Sequence, residues 1–360
     1  MPFDVRDFPA AVLAADRHRR QVALWLFGLC FMLLVMVALG GATRLTGSGL
    51  SIMEWAPLLG ALPPVSEAEW QRLYALYQQI PQYTLLHDGF GIEGFKQIFW
   101  LEWTHRLWGR LMGLAFIGPL VWFWVRGALT RKLGLRLAGL FVLGGLQGAV
   151  GWFMVASGFV PDSTAVSPYR LVVHLTLALT LYAAILWLGL SMLPPPEDAH
   201  RAIAPPRRLL GWVAALVGLT IVAGGFVAGN HAGLVYNSFP LMDGALVPAA
   251  YADLSPFARN LTENLAAVQF DHRVLATFTA TLALAAAVIG LRRGGAGRMR
   301  AALLALAAAV AAQYVLGVAT LLWVVPVGLA TLHQAVAVLV LTAALTALHT
   351  ARCFARPDAA

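Results

Sequence analysis

Nine histidines are spread along the 360-residue chain, and four of them, His105, His174, His272 and His333, fall inside long apolar runs. His105 lies 21 residues before Arg126, His174 20 before Pro194, His272 20 before Arg292 and His333 19 before Arg352. At about 1.5 Å per helical residue, each stands roughly 30 Å from the polar boundary that follows it, so the four form one layer. Ligating side chains inside membrane helices are costly and mark function by default. A lone histidine of this kind is readily explained as an interhelical hydrogen-bond partner, but four at equal depth are not. Neutral imidazole suits iron, and two imidazoles approaching one metal from opposite sides make a haem site.

The neighbours of these histidines divide the layer in two. Glu102 lies three residues before His105, on the same helix face, whereas the residue three before His272 is Gln269. A carboxylate can accept protons or stabilise positive charge, which an amide cannot do. Glu102, His105 and His174 are therefore the candidates for chemistry, and His272 and His333 for a permanently held haem. The alternative for Glu102 is an interfacial residue that caps the entry of its helix. Arg106, Arg170 and Arg273 sit at the same level, where a guanidinium suits the carboxylates of a porphyrin. Gly109 and Gly113 follow His105 by one and two turns, as Ala276 and Ala280 follow His272. Ala178 and Ala337 stand one turn after His174 and His333. A flat macrocycle needs such room, although small residues at this spacing also serve plain helix packing.

The elements that must position this layer are membrane spans. The chain is 60% hydrophobic and 12% charged, too apolar for a soluble domain of ordinary surface. A span needs about 20 apolar residues. Eight runs qualify, near 21–40, 104–125, 137–156, 169–193, 209–229, 264–290, 301–324 and 328–351. The first is full length and follows Arg17, Arg19 and Arg20, so it reads as a retained span, not a cleaved signal. The formal charge of +8 follows topology. Seventeen of the 25 Lys and Arg residues, from Arg6 through Arg201 to Arg356, fall in segments that are cytoplasmic if the N-terminus is inside. That asymmetry puts both termini in the cytoplasm and the histidines toward the periplasm, with no call for nucleic acid as a partner.

The halves repeat. Gly40-Gly41 matches Gly224-Gly225, His105-Arg106 matches His272-Arg273, Gln147 and Gly151 match Gln313 and Gly317, and His174 matches His333. Each repeat has four spans, an even number, so both enter from the same side and are related by an axis along the membrane normal. The expected fold is an all-α integral membrane protein of eight transmembrane helices in two tandem four-helix bundles. Residues 1–193 form the first, with a long outer loop over 42–97; 194–208 are a cytoplasmic linker; 209–352 form the second; and 353–360 are a tail. In the long loop, Ser66-Glu67-Ala68-Glu69 has the form of a capping box. Trp70, Leu73, Tyr74 and Tyr77 then share one face, as in a helix lying on the interface. Trp100, Trp103 and Trp108 flank the next span, where aromatics favour headgroups. Cys30 and Cys353 are too few and too far apart in the chain for a zinc site, and read as packing residues.

With these residues the chain resembles the haem A synthase family, in the form found in proteobacteria and mitochondria. The resemblance covers roughly residues 20–352. It is carried by Gly40-Gly41-Ala42-Thr43-Arg44-Leu45-Thr46-Gly47-Ser48-Gly49-Leu50-Ser51, Glu102-Trp103-Thr104-His105-Arg106, Gln147-Gly148, His174, Phe270-Asp271-His272-Arg273 and Leu332-His333-Gln334. It implies oxidation of a methyl group of haem O to a formyl group, giving haem A for cytochrome oxidase assembly. It also implies that His272 and His333 ligate a b-type haem cofactor with Arg273 beside it. His105 and His174, with Arg106 and Arg170, then serve the substrate haem, and Glu102 serves catalysis. A cysteine pair found in an outer loop of some members is missing here. A haem O synthase is the implied upstream partner, the electron donor is unidentified, and a homo-oligomer in a bacterial inner membrane is compatible. Two rivals stay open: a quinol-linked b-type cytochrome for electron transfer, and a haem-handling transporter or chaperone without chemistry.

Overall fold

The computed structural model describes residues 10–57, 59–161, 163–194, 206–295 and 297–354. Arg6, Arg201, Arg356, most of the 194–208 linker and the end of the tail lie outside them. The chain runs through α1 (Ala10–Leu45), the short α2 (Glu67–Tyr77) and α3 (Pro81–Leu86), then α4 (Gly91–Val125), α5 (Arg131–Val155) and α6 (Pro168–Met192). It continues as α7 (Arg207–Gly229), the single turn α8 (Asn260–Glu263), α9 (Leu265–Arg292), α10 (Gly297–Leu322) and α11 (Val327–Cys353). Eight of these are long and apolar enough to cross a bilayer: α1, α4, α5, α6, α7, α9, α10 and α11. The protein is thus an all-α membrane protein with the expected number of spans. Among the described residues no named strand occurs, only an isolated bridge between Met242 and Ala245.

Local chemistry explains several helix starts. The Thr130 hydroxyl accepts from Leu133 N at 3.3 Å to open α5, and Asn264 Oδ1 accepts from Ala266 N at 2.9 Å to open α9. Helix α4 differs most from the sequence expectation, starting at Gly91 instead of near 104. Its extra turns carry Glu93, Lys96 and Gln97 on one side, which a hydropathy reading discards. Phe95, Ile98 and Phe99 on the other side are buried and extend the helix beyond the apolar run.

The capping box of the long loop is formed, with Ser66 Oγ accepting from Glu69 N at 3.2 Å. The face made by Trp70, Leu73 and Tyr77 packs on Phe95, Ile98 and Phe99 of α4 and does not lie free on the interface. Trp108 also departs from expectation: its Nε1 donates to the Met32 carbonyl of α1 at 2.8 Å, well inside the span. Trp25 Nε1 makes the reverse tie to the Ala115 carbonyl of α4 at 2.8 Å.

In the first half α1 packs on α4 and α6, and α5 packs on the same two helices. In the second half α7 packs on α9 and α11, as does α10. Between the halves α1 meets α11, α6 meets α7, and α6 meets α11. Exchanging α1 with α7, α4 with α9, α5 with α10 and α6 with α11 maps this set of contacts onto itself. Helices α1, α6, α7 and α11 therefore surround the centre. Leu26, Leu33, Ile185, Val213 and Leu341 are buried there, and Tyr182 OH lies 2.6 Å from Thr342 Oγ1 between α6 and α11. Ala283, Ala286, Ala287, Ala344 and Ala347 are buried in the second half, where small residues let helix backbones approach closely.

Candidate functional site

Each of the four histidine rings rests on a glycine of a neighbouring helix. A methyl group added at Gly40 of α1 would stand 3.2 Å from His105 Nε2, and one at Gly151 of α5 would stand 2.9 Å from His174 Cε1. One at Gly224 of α7 would stand 3.0 Å from His272 Cε1, and one at Gly317 of α10 2.9 Å from His333 Cε1. These glycines are the pairs that the repeat aligns, so both halves seat their imidazoles in one way. Gly40, Gly224 and Gly317 come five residues before the ends of their helices at Leu45, Gly229 and Leu322, and Gly151 four before Val155. At about 1.5 Å per residue the four seats lie roughly 6–8 Å below one end of the bundle, which is the single layer expected from the sequence.

Within each half the two histidines lie in electrostatic range of one another, His174 of His105 and His272 of His333. The Nδ1 atoms of His272 and His333 are buried with no hydrogen-bond partner. Gln147 Nε2 lies 3.1 Å from His174 Nδ1 and donates to the His174 carbonyl at 3.0 Å. Its counterpart Gln313 places Nε2 3.4 Å from His333 Nε2. Both glutamine Oε1 atoms are buried without a partner. Imidazoles seated on glycines, two of them with a buried Nδ1 that no protein group fills, suit axial ligation of a haem iron. Among the described residues no cluster of three or more His, Cys, Asp or Glu could hold a bare metal ion. A bis-histidine haem needs only two.

Glu102 is 3% exposed and its Oε1 accepts from Arg106 Nε at 2.6 Å. Arg106 also donates to the carbonyls of Glu54 at 2.9 Å and Ile52 at 2.8 Å, pinning the outer loop over the helix end. In the second half Gln269 is 2% exposed and donates to the Ala232 carbonyl at 2.9 Å. Arg273 donates to the Ser238 carbonyl at 2.9 Å, to the Tyr236 carbonyl at 2.7 Å and to Gln269 Oε1 at 3.1 Å. The two arginines thus clamp equivalent loops in equivalent ways, one through an acid and the other through an amide.

The sequence reads Arg106 and Arg273 as partners for porphyrin carboxylates, and the structure gives most of their donors to loop carbonyls. Arg170 donates to the Phe153 carbonyl at 2.8 Å and stacks its guanidinium 3.9 Å from the Phe153 ring centre. Of the small residues thought to leave room beside His105, Gly113 faces open space and Gly109 has Met36 Cε 3.4 Å from its added methyl. The ring seats themselves, and Gln147 and Gln313, were visible in the sequence only as matched positions of the repeat.

The COX15-CtaA family model, described as cytochrome oxidase assembly protein, matches residues 23–345. A heme A synthase of Granulibacter bethesdensis is 61% identical over 342 residues, covering 95% of this chain and 90% of the relative. One from Rhodospirillum centenum is 51% identical, covering 88% and 84%, and one from Nitrosospira multiformis is 46% identical, covering 93% and 94%. With a family match and relatives that run along nearly its whole length, the chain belongs to the COX15-CtaA family of cytochrome oxidase assembly proteins.

Proposed function

We propose that the chain is a haem A synthase that oxidises a methyl group of haem O to a formyl group in a bacterial inner membrane. The observation that carries this reading is the single acid at two otherwise matching histidine sites: Glu102 in the first half stands where Gln269 stands in the second. A chain that only held or passed on two haems would have no use for that difference. The relatives named heme A synthase support the same assignment.

In this reading His272 and His333, with Arg273 nearby, would ligate a resident haem b, and His105 and His174 would hold haem O. Arg106 and Arg170 flank the substrate site. The bound haem supplies the redox chemistry. The chain's own residues seat the imidazoles on Gly40, Gly151, Gly224 and Gly317, and keep the layer inside the spans. Turning a methyl group into a formyl group is a four-electron oxidation, balanced as the half-reaction R–CH3 + H2O → R–CHO + 4 H+ + 4 e−. Glu102 is the group positioned to take protons beside His105, and Arg106 fixes its carboxylate in place. The electrons pass to or from an unidentified partner, and a haem O synthase supplies the substrate directly.

The domain reading follows from the same repeat: residues 1–193 as the substrate half, 209–352 as the cofactor half, and a pseudo-twofold axis along the membrane normal between them. The charge asymmetry supports cytoplasmic termini and a histidine layer toward the periplasm. A transmembrane cytochrome would stack its haems at two depths, whereas the seats here favour one. Extracting the pigment of the purified protein and separating it by reverse-phase chromatography tests the assignment. Haem b accompanied by haem O or haem A is expected; two haem b per chain and nothing else would overturn it.

A further inference from the structure

Arg44 is a guanidinium near the histidine layer that the foregoing chemistry does not use. It stands one helical turn after Gly40, the seat of His105, and so on the same face of α1. Its NH1 reaches across the centre of the bundle to the Ala228 carbonyl of α7 at 2.7 Å. Ala228 is one turn after Gly224, the seat of His272, and at the offset that pairs Gly40 with Gly224 it is also the position that the repeat aligns with Arg44 itself. The side chain therefore bridges the two sites, one turn beyond each seat and toward the outer ends of both helices.

This cation is poorly satisfied by the protein. Arg44 Nε is buried without a hydrogen-bond partner, and among the described residues no carboxylate lies within ion-pair distance of the group. His231 stands within electrostatic range of it and brings no negative charge. The C-terminal ends of α1 and α7 present carbonyls that favour a cation, but helix-end partial charges offset only part of the cost of burying one. Arg106 and Arg273, by contrast, each donate to two loop carbonyls and to Glu102 or Gln269, and only Nε of Arg273 is left without a partner.

We infer that Arg44 is a shared anion site that binds the carboxylate side chains of the porphyrins held in the two halves. The inference rests on the histidine pairs being haem sites. A guanidinium with unfilled N–H groups facing a propionate forms the charge-assisted bond that an amide or hydroxyl cannot replace. One arginine between two macrocycles also accounts for its occurring in only one repeat: a second at position 228 would set two like charges against each other.

The test uses the full-length chain in detergent, produced in haem-limited cells and titrated with iron protoporphyrin IX or with its dimethyl ester, which lacks the carboxylates. Binding is followed by the low-spin absorbance of the bis-histidine complex. The wild-type chain is expected to bind the acid about 10- to 100-fold more tightly than the ester. Arg44→Gln, which keeps a donor for the Ala228 carbonyl but no charge, is expected to bind the acid more weakly by a similar factor and to lose most of that preference. Arg44→Lys should regain part of it. A wild-type chain indifferent to esterification, or an Arg44→Gln chain that keeps the full preference, overturns the inference and leaves Arg44 a tie between helices. A wild-type chain that forms the low-spin complex with neither compound overturns the haem reading itself, and this inference with it.

Discussion

Arg106 and Arg273 occupy matching positions, hold matching loops and lie one turn after matching partners, yet the first grips a carboxylate at 2.6 Å and the second an amide at 3.1 Å. Around this difference the halves are built alike. Both put one imidazole on a glycine of the first helix of the half and the other on a glycine of the third, and both back the second imidazole with a glutamine. Where duplicated sites share the features that hold a ligand and differ in one ionisable group, that group marks the half that does chemistry. Holding a haem and transforming one ask for the same cradle, and the transformation asks in addition for somewhere to put protons.

The sharpest way to break the comparison is to exchange the distinguishing residue. Glu102→Gln makes the first half resemble the second, and haem A formation in cells is expected to fall at least about 100-fold while the haem b spectrum persists. Gln269→Glu is expected to leave haem A formation within a fewfold of the wild type, because an acid beside a resident cofactor has no methyl group to act on. Equal losses in the two variants would mean that the acid and the amide serve structure alike.

A second group of substitutions sharpens what the halves share. Gly40→Ala, Gly151→Ala, Gly224→Ala and Gly317→Ala each push a methyl group against an imidazole, an overpacking worth about 1–3 kcal/mol. Haem retention after a chase with a competing apoprotein is expected to drop about tenfold, for haem b with Gly224→Ala or Gly317→Ala and for haem O with Gly40→Ala or Gly151→Ala. Gly118→Ala, at a position that faces open space about 20 Å along α4 from His105, is the control and should retain both. If it behaved like the other four, helix packing and not ring seating would explain the effect.

The smallest effect expected lies in the outer loop, which only the first half elaborates into α2 and α3. Ser66→Ala removes the cap of α2 at a cost of about 1 kcal/mol. Limited proteolysis within residues 42–97 should speed up by a few fold with no change in pigment.

The span count and the histidine layer were legible in the sequence because both are periodic: a run of apolar residues has a length, and a distance along a helix has a depth. Glu102 was legible because a residue three before a ligand must share its face. The repeat exposed Gly40, Gly151, Gly224 and Gly317 as matched positions, but not as seats. A glycine carries no side chain to announce a contact, and the contact lies on another helix, which periodicity cannot reach. Arg106, Arg170 and Arg273 were legible in level and not in direction, since a long side chain at a helix end has loop carbonyls and aromatic rings to choose from. The early start of α4 was hidden for a related reason: Glu93 and Lys96 lower the hydropathy of turns whose other face is buried under α2.

The division of labour between the halves is tested most directly by the pigment that remains when each histidine pair is removed. His272→Ala with His333→Ala is expected to abolish the low-spin haem b spectrum of the purified protein. His105→Ala with His174→Ala should keep haem b while haem O and haem A disappear from the extract. Loss of the same haem from both variants, or retention of haem b without His272 and His333, would contradict the assignment of one haem to each half.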